Sequence, residues 1–372
     1  MRKILLATTA LIAFAGVAEA AESPIQVTLG GSVDFRAALF HEGNKIATEE
    51  GSRRHGDFQT EYALTIAAEG KAAGGIEYGA LLDLNNDQKL VDGNQYGIAM
   101  NQAYVWVSSA FGKLIMGDEL GASSLFVMAP TVGEGQMDGS YTNFTDEATL
   151  AEFKPTYFDD TENDTKVTYF TPKVGTASHK VQLGVSYTAE DRQGTVASLY
   201  ERTDGYKNQV EATAQYTGTI APVSVVVTPM IATGEGEGDK TASTNRDYTM
   251  WGVGAQALYA GLTFGGSYVD AGHKGSAPGQ DLDQDVWTVG LGYEIDKVAL
   301  ATNFMSGEGY YNGLLGSNDY VEGFNAVGFG ATYKWVPGLT TAADAVFFNQ
   351  DRGGTTKGNE GHVLMLTQKM AF

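Results

Sequence analysis

The sequence predicts an all-β protein, a transmembrane antiparallel β-barrel of about 16 strands. Three observations support this prediction: an export segment at the start of the chain, side chains that alternate between apolar and polar, and connections that alternate between long and short. The 372 residues include no cysteine, and 45 acidic residues stand against 24 basic ones. This composition excludes disulfide scaffolds and thiolate metal sites, and its acidity argues against nucleic acid as a partner.

Residues 1–20 have the pattern of a secretory signal peptide. Arg2 and Lys3 give a positive start, an apolar run covers residues 4–17, and Ala18 and Ala20 are the small residues that a signal peptidase reads. The alternative is a membrane anchor, but the run is shorter than the roughly 20 residues that a spanning helix needs. We therefore expect export, followed by a single barrel domain over residues 21–372.

The segment that follows the export signal alternates with a period of two. Successive side chains of a strand point to opposite faces, so such a segment has one apolar and one polar surface. The apolar face carries Ile25, Val27, Leu29, Val33, Phe35 and Leu39, and the other carries Gln26, Thr28, Ser32, Asp34 and Arg36. Segments near residues 57–69, 76–84, 287–293 and 321–335 repeat the pattern. Soluble sandwiches also alternate, so this period leaves two classes open.

The connections distinguish these two classes. Long polar connections begin near residues 41, 85, 121, 190, 233, 271, 307 and 349, and a short connection separates each from the next. An outer-membrane barrel has short periplasmic turns at one end and long extracellular loops at the other, whereas a sandwich has no reason to do so. The chain ends at Phe372 in an alternating segment. Pairing of that segment with the first strand would close the barrel and leave no free edge.

Three stretches carry a resemblance to a known family. They are residues 103–118 (AYVWVSSAFGKLIMGD), residues 167–172 (VTYFTP) and the terminal Phe372. With the signal peptide, they resemble the general porins of Gram-negative outer membranes, of the alphaproteobacterial type. Two features depart from that family: the long third loop lacks a Pro-Glu-Phe-Gly-Gly-type motif, and Gln368 is polar where the terminal signal is usually apolar.

The resemblance implies a homotrimer in the outer membrane, surrounded by lipid and lipopolysaccharide. It also implies a passive diffusion channel for small hydrophilic solutes and ions, without a cofactor. Two alternatives stay open: a substrate-selective porin for sugars or anions, and a closed structural or adhesin barrel. An anion pore would need rings of Lys or Arg.

No enzymatic activity is expected from this sequence. Its five histidines are scattered, with no pair at the i, i+4 spacing of a helical metal site: His41, His55, His179, His273 and His362. Residues 234–241 lack the glycine that precedes the lysine of a phosphate-binding loop.

The charges on the polar faces predict a mild preference for cations. Six acids oppose Arg36 on the polar faces that the alternation identifies: Asp34, Glu61, Glu77, Asp83, Glu211 and Asp344. A permeating cation is attracted by such fixed carboxylates, although salt screens those that lie farther than about 8–10 Å away.

The longest connection, residues 121–165, mixes aromatic and acidic residues. Loops of this length are usually functional or disordered, and the aromatic content argues against disorder. We expect it to fold into the barrel as a constriction loop, which is where the resemblance places one. Candidates for the acidic side of the constriction are Glu134, Asp138, Asp146 and Glu147, and Arg36 is a candidate for the basic side. The same carboxylates could bind Ca²⁺. The alternative is an outward loop that packs on neighbouring loops or subunits.

Overall fold

A computed structural model describes residues 23–43, 54–86, 98–133, 139–145, 161–190, 205–236, 246–274, 284–308, 320–353 and 358–372. The β-segments are β1 (Ser23–Glu42), β2 (Gly56–Ala72), β3 (Ile76–Asn85), β4 (Ala99–Ser109), β5 (Gly112–Asp118), β6 (Thr165–Phe170), β7 (Val174–Gly175), β8 (His179–Glu190), β9 (Tyr206–Ile220), β10 (Val223–Gly236), β11 (Tyr248–Tyr259), β12 (Leu262–Gly272), β13 (Gln284–Ile295), β14 (Val298–Glu308), β15 (Tyr320–Val336), β16 (Leu339–Gly353) and β17 (Asn359–Ala371). Within these described ranges, three 3₁₀-helices span Ala73–Gly75, Gly121–Leu125 and Ser140–Phe144.

The segments form a closed antiparallel barrel in which neighbours in sequence are neighbours in space. Both β6 and β7 pair with β8, so they are two parts of one strand interrupted at residues 171–173. Pro172 lies in this gap and lacks the N–H that a ladder needs. The barrel therefore has 16 strands, as predicted. It closes where β17 pairs with β1, from Ser32 opposite Ala371 to Glu42 opposite Gly361.

The two faces of the wall differ as the alternation predicts. On β1, Leu29 and Leu39 are exposed on the outer face, whereas Asp34 and Arg36 are buried on the inner face. The same rule holds on β17, where Leu364 and Leu366 are exposed and Met365 and Thr367 are buried. Apolar side chains therefore face the surroundings of the barrel, and most polar ones face its interior. Among the described residues, no helix is long and apolar enough to cross a membrane.

Short and long connections lie at opposite ends of the barrel. The short ones are residues 73–75, 110–111, 176–178, 221–222, 260–261, 296–297 and 337–338. Gly261 and Gly338 both have a φ of +82°, a left-handed conformation that glycine adopts without strain. The predicted alternation is confirmed, with boundaries shifted by a few residues. His41, for example, was expected in a loop but lies within β1.

Candidate functional site

The connection between β5 and β6 lies against the inner face of the barrel wherever it is described. Its first part donates backbone N–H groups to a succession of inner-face hydroxyls. Ala122 donates to Ser186 Oγ on β8 at 3.1 Å, and Val127 donates to Thr228 Oγ1 on β10 at 3.0 Å. Ala129 then donates to Thr288 on β13 at 3.3 Å. Residues 122–129 therefore run around the wall rather than across the opening of the barrel.

Wall side chains also donate to carbonyls of this segment. Gln215 Nε2 donates to the Leu125 carbonyl at 2.9 Å, and Gln256 Nε2 donates to the Met128 carbonyl at 2.7 Å. A Cβ added to Gly254 would overlap the Val127 carbonyl, so the wall needs glycine there. Glycine inside a strand often marks such a close approach of another backbone. The hydrogen bonds and the missing side chain together fix the course of the segment.

The second described part, residues 139–145, packs near the line where the barrel closes. The Tyr141 ring lies 6.5 Å from the Phe348 ring on β16, and the Phe144 ring lies 6.2 Å from Phe40 on β1. Both loop side chains belong to a buried apolar cluster that includes Val346, Met365, Phe324 and Met305 of the wall. Asn143 Nδ2 donates to Glu61 Oε1 at 3.1 Å. Aromatic burial thus attaches this part to the side of the wall opposite β10.

The candidate acids of the constriction, Glu134, Asp138, Asp146 and Glu147, lie outside the described residues. Their role stays a prediction.

Arg36 is described, on the inner face of β1 with 2% of its side chain exposed. Its guanidinium pairs with Glu61 and, at 3.1 Å, with Asp34, and Lys369 Nζ lies 3.7 Å from the same Asp34 oxygen. Among the described contacts, two cations and two carboxylates therefore lie together on this wall. Burial with its counter-charges makes Arg36 a weak source of field for the rest of the pore.

The inner face also carries lysines that the sequence analysis missed. Lys71 pairs with Glu77 at 2.6 Å, Lys369 adjoins Asp34, and Lys166 is buried on β6. The predicted excess of six acids over one arginine on the inner face was therefore too large, because these lysines add positive charge to the same face. Lys166 was detectable in the sequence, since it alternates with Val167 and Tyr169.

Asp83 on β3 differs from these paired acids. Its Oδ1 accepts from Thr65 Oγ1 at 2.8 Å, and its Oδ2 accepts from Asn101 Nδ2 at 2.6 Å. Both are uncharged donors. Asn101 in turn accepts from Asn163, near the end of the long connection, at 2.8 Å. The carboxylate thus lies where that connection returns to the wall, and no described cation forms a salt bridge with it.

Three of the histidines, although scattered along the sequence, are close together in the fold. His41 lies opposite His362 across the closure, with ring centroids 5.8 Å apart, and His55 stacks on His41 at 5.9 Å. The barrel closure brings residues from the two ends of the chain into contact. Over the part of the chain that the structure covers, no three His, Asp or Glu side chains are arranged to hold a metal ion.

Comparisons with known proteins agree with this architecture. A family model described as Gram-negative porin matches residues 7–353. An anion-selective porin from Comamonas acidovorans is 14% identical with a TM-score of 0.61, over 94% of this chain and 100% of that one. The OmpF complex with daunomycin from Salmonella typhi is 13% identical with a TM-score of 0.61, over 92% and 97%. OmpT of Vibrio cholerae in a trimer form is 13% identical with a TM-score of 0.57, over 94% and 100%.

No curated protein sequence gives a significant match. At identities this low, the structural likeness concerns the fold alone. The family model, in contrast, spans nearly the whole chain. The chain therefore belongs to the Gram-negative porin family and is a β-barrel diffusion channel of the outer membrane.

Proposed function

We propose that this porin is a passive channel for small hydrophilic solutes and ions, narrowed by the connection between β5 and β6. The observation that carries the proposal is the course of residues 121–133 and 139–145 along the inner wall. About 16 strands enclose an aqueous lumen, whereas about eight are filled by side chains. A segment laid on the inside of the larger barrel takes up part of that lumen and reduces the open cross-section.

The proposed constriction places Glu134, Asp138, Asp146 and Glu147 towards the pore water. Gly133 supports this placement, because a Cβ there would overlap the Asp344 carboxylate on the wall. The chain is therefore in contact with the wall immediately before Glu134. Binding of Ca²⁺ by these carboxylates is a subsidiary proposal, since Ca²⁺ takes six to eight oxygen ligands in flexible geometry. Arg36 would face this acidic side from β1, weakened by its pairing with Asp34 and Glu61.

We propose a mild preference for cations, to which Asp83 contributes. One charge about 8 Å from an ion is worth roughly 0.5 kcal/mol in water and about 2 kcal/mol at an effective dielectric constant near 20. Because 1.4 kcal/mol corresponds to about tenfold, a few such charges give preference rather than exclusion. The structural likeness to an anion-selective porin concerns the fold alone. It is not an argument that this pore is lined by a ring of Lys or Arg, which an anion channel would need.

Current through planar bilayers tests the channel and separates it from its alternatives. Purified protein should produce open, additive current steps with weak selectivity, and liposomes that contain it should swell in small sugars. Block by one solute at low concentration would favour a substrate-selective porin. The absence of any current from correctly folded barrels would favour a closed structural barrel.

We also propose that the barrel is a homotrimer embedded among outer-membrane lipid and lipopolysaccharide. The support is the family membership and the trimer form of Vibrio cholerae OmpT. The exposed apolar outer face, with Phe58 and Leu39 among its side chains, needs either lipid or a second copy to cover it. Chemical cross-linking and gel mobility without heating should give a band at three times the monomer mass.

A further inference from the structure

The two ends of the connection between β5 and β6 meet at the same pair of buried wall residues. Lys166 on β6 has 3% of its side chain exposed, and Glu211 on β9 has 1%. The start of the connection is close to both side chains, and so is its end near Thr161. Two chain segments that are about 40 residues apart therefore share one polar anchor.

Lys166 contacts both ends through their backbones. Its Nζ donates to the carbonyl of Glu119 at the start of the connection. It also donates to the carbonyls of Thr161 and Glu162 at the end, at 3.2 Å and 2.6 Å. An ammonium group has three N–H donors, so it can donate to all three of these carbonyls.

Glu211 contacts both ends from the neighbouring part of the wall. Its Oε2 accepts from the Ser123 backbone N–H at 3.2 Å and from Ser186 Oγ at 2.9 Å. Its Oε1 accepts from Thr161 Oγ1 at 2.8 Å. Gly121, with a φ of +75°, leaves no room for a side chain, because a Cβ would lie 2.8 Å from Glu211 Oε2. The start of the connection is thus in close contact with the carboxylate.

We propose that Lys166 and Glu211 form a clamp that holds both ends of the connection and so keeps the channel in one conductance state. This inference rests on the proposed role of the connection in narrowing the pore. Release of either end would leave a buried charge with fewer partners, which is costly in a site removed from water. The ends are therefore coupled, and each stabilises the attachment of the other. Lys166 and Glu211 act as positioning residues, because they act on permeation through the loop.

The coupling predicts a graded series of variants. Lys166→Met removes donors to both ends, whereas Thr161→Val loosens the end alone and Ser186→Ala loosens the start alone. Loss of a hydrogen bond to a charged group should raise the released population about tenfold or more. We expect Lys166→Met to raise the fraction of time outside the main conductance level by at least that factor. The two single-end variants should have smaller effects, and their combination should approach Lys166→Met.

Two matched controls lie on the same strands and the same face. Thr168 is two residues from Lys166, and Thr213 is two residues from Glu211; both are buried. Neither hydroxyl has a hydrogen-bond partner among the described residues. Thr168→Val and Thr213→Val should leave the current record unchanged. If they disturb it as much as Lys166→Met does, the effect comes from packing and the clamp is wrong.

Hydrogen exchange gives a readout that does not depend on current. In Lys166→Met, the amides of residues 120–123 and 161–164 should exchange faster together, while those of β6 and β9 stay protected. Faster exchange at one end alone would overturn the coupling. Folding of Lys166→Met is checked by the folded band that disappears on heating in gel electrophoresis. If that band is absent, the single-end variants Thr161→Val and Ser186→Ala test the clamp instead.

The outcomes also separate the clamp from the proposed function. Clamp variants that fold and keep the wild-type conductance level and dwell times would refute the clamp. The proposal that the protein is a channel would stand. A wild-type barrel without current would refute the channel. If the amides at both ends of the connection then exchange faster together in Lys166→Met, the shared anchor would still be supported, but its effect on conductance would not.

Discussion

Phe372, the last residue of the chain, exchanges two backbone hydrogen bonds with Gly31 on the first strand, each 3.0 Å long. The Phe372 ring also lies against Gly31, where an added Cβ would be 3.0 Å from the ring. The terminal aromatic residue therefore takes part directly in barrel closure, next to a strand residue that has no side chain.

Gly31→Ala should destabilise the barrel. The new Cβ would lie 2.5 Å from the Ala63 carbonyl oxygen, so the backbone must shift. Overpacking of this kind costs about 1–3 kcal/mol. The temperature at which the folded band disappears in gel electrophoresis should fall. Gly30→Ala is the control, because its nearest neighbour would be Phe372 O at 3.4 Å, an ordinary contact. Equal behaviour of the two variants would contradict this account of closure.

Asp83→Asn should weaken the preference for cations without changing the width of the pore. The substitution keeps the shape of the side chain and removes one inner-face charge. At about 8 Å in water, that charge is worth roughly a twofold change in the permeability ratio. The reversal potential in a salt gradient measures the ratio. Glu77→Gln is the comparison, because Glu77 already pairs with Lys71 and its removal should change selectivity less. A larger effect at Glu77 would show that pairing does not decide which acids matter.

Removal of residues 134–147 should raise single-channel conductance and the solute size limit. The deletion takes out the candidate acids together with Tyr141 and Phe144, which attach the connection to the wall near the closure. Neutralising the four acids with Gln and Asn should instead lower the cation preference and leave the size limit unchanged. Unchanged conductance of a correctly folded deletion variant would place this part of the connection outside the pore.

Gly254→Val should displace the first part of the connection. The wall at Gly254 is occupied by the Val127 carbonyl, so a side chain there must push residues 126–128 away from β11. We expect an altered conductance level in planar bilayers. Gly323→Ala is the control, because the nearest atom to its Cβ would be 3.8 Å away. An unchanged level in Gly254→Val would show that the segment can shift without affecting the pore.

The sequence predicted the barrel well because its signals are local. Ile25, Val27 and Leu29 alternate with polar neighbours. This alternation follows from the geometry of a single strand and does not depend on which strands pair with it. The relation of His41 to His362 could not be predicted, since it depends on register across the closure of the chain's two ends. The contacts of Lys166 could not be predicted from the sequence either. Its position on a polar face was detectable, but its partners depend on the path of a connection that has no periodicity to interpret.

The course of residues 122–129 is set by groups that do not belong to the connection. Thr228, Thr288, Gln215 and Gln256 on the wall bond to its amides and carbonyls, and Gly254 leaves space for its backbone. Backbone groups are the same for every residue except proline, so these hydrogen bonds do not require particular side chains in the segment. Ala122, Met128 and Ala129 are buried, and Phe126 packs against a wall cluster, so these four side chains add packing to the attachment. Substitutions at its exposed positions, such as Ser124, can therefore change what a permeating solute meets without changing the route. The barrel wall therefore fixes the route of this segment, and changes in the exposed side chains of the segment can alter selectivity while its route stays constant.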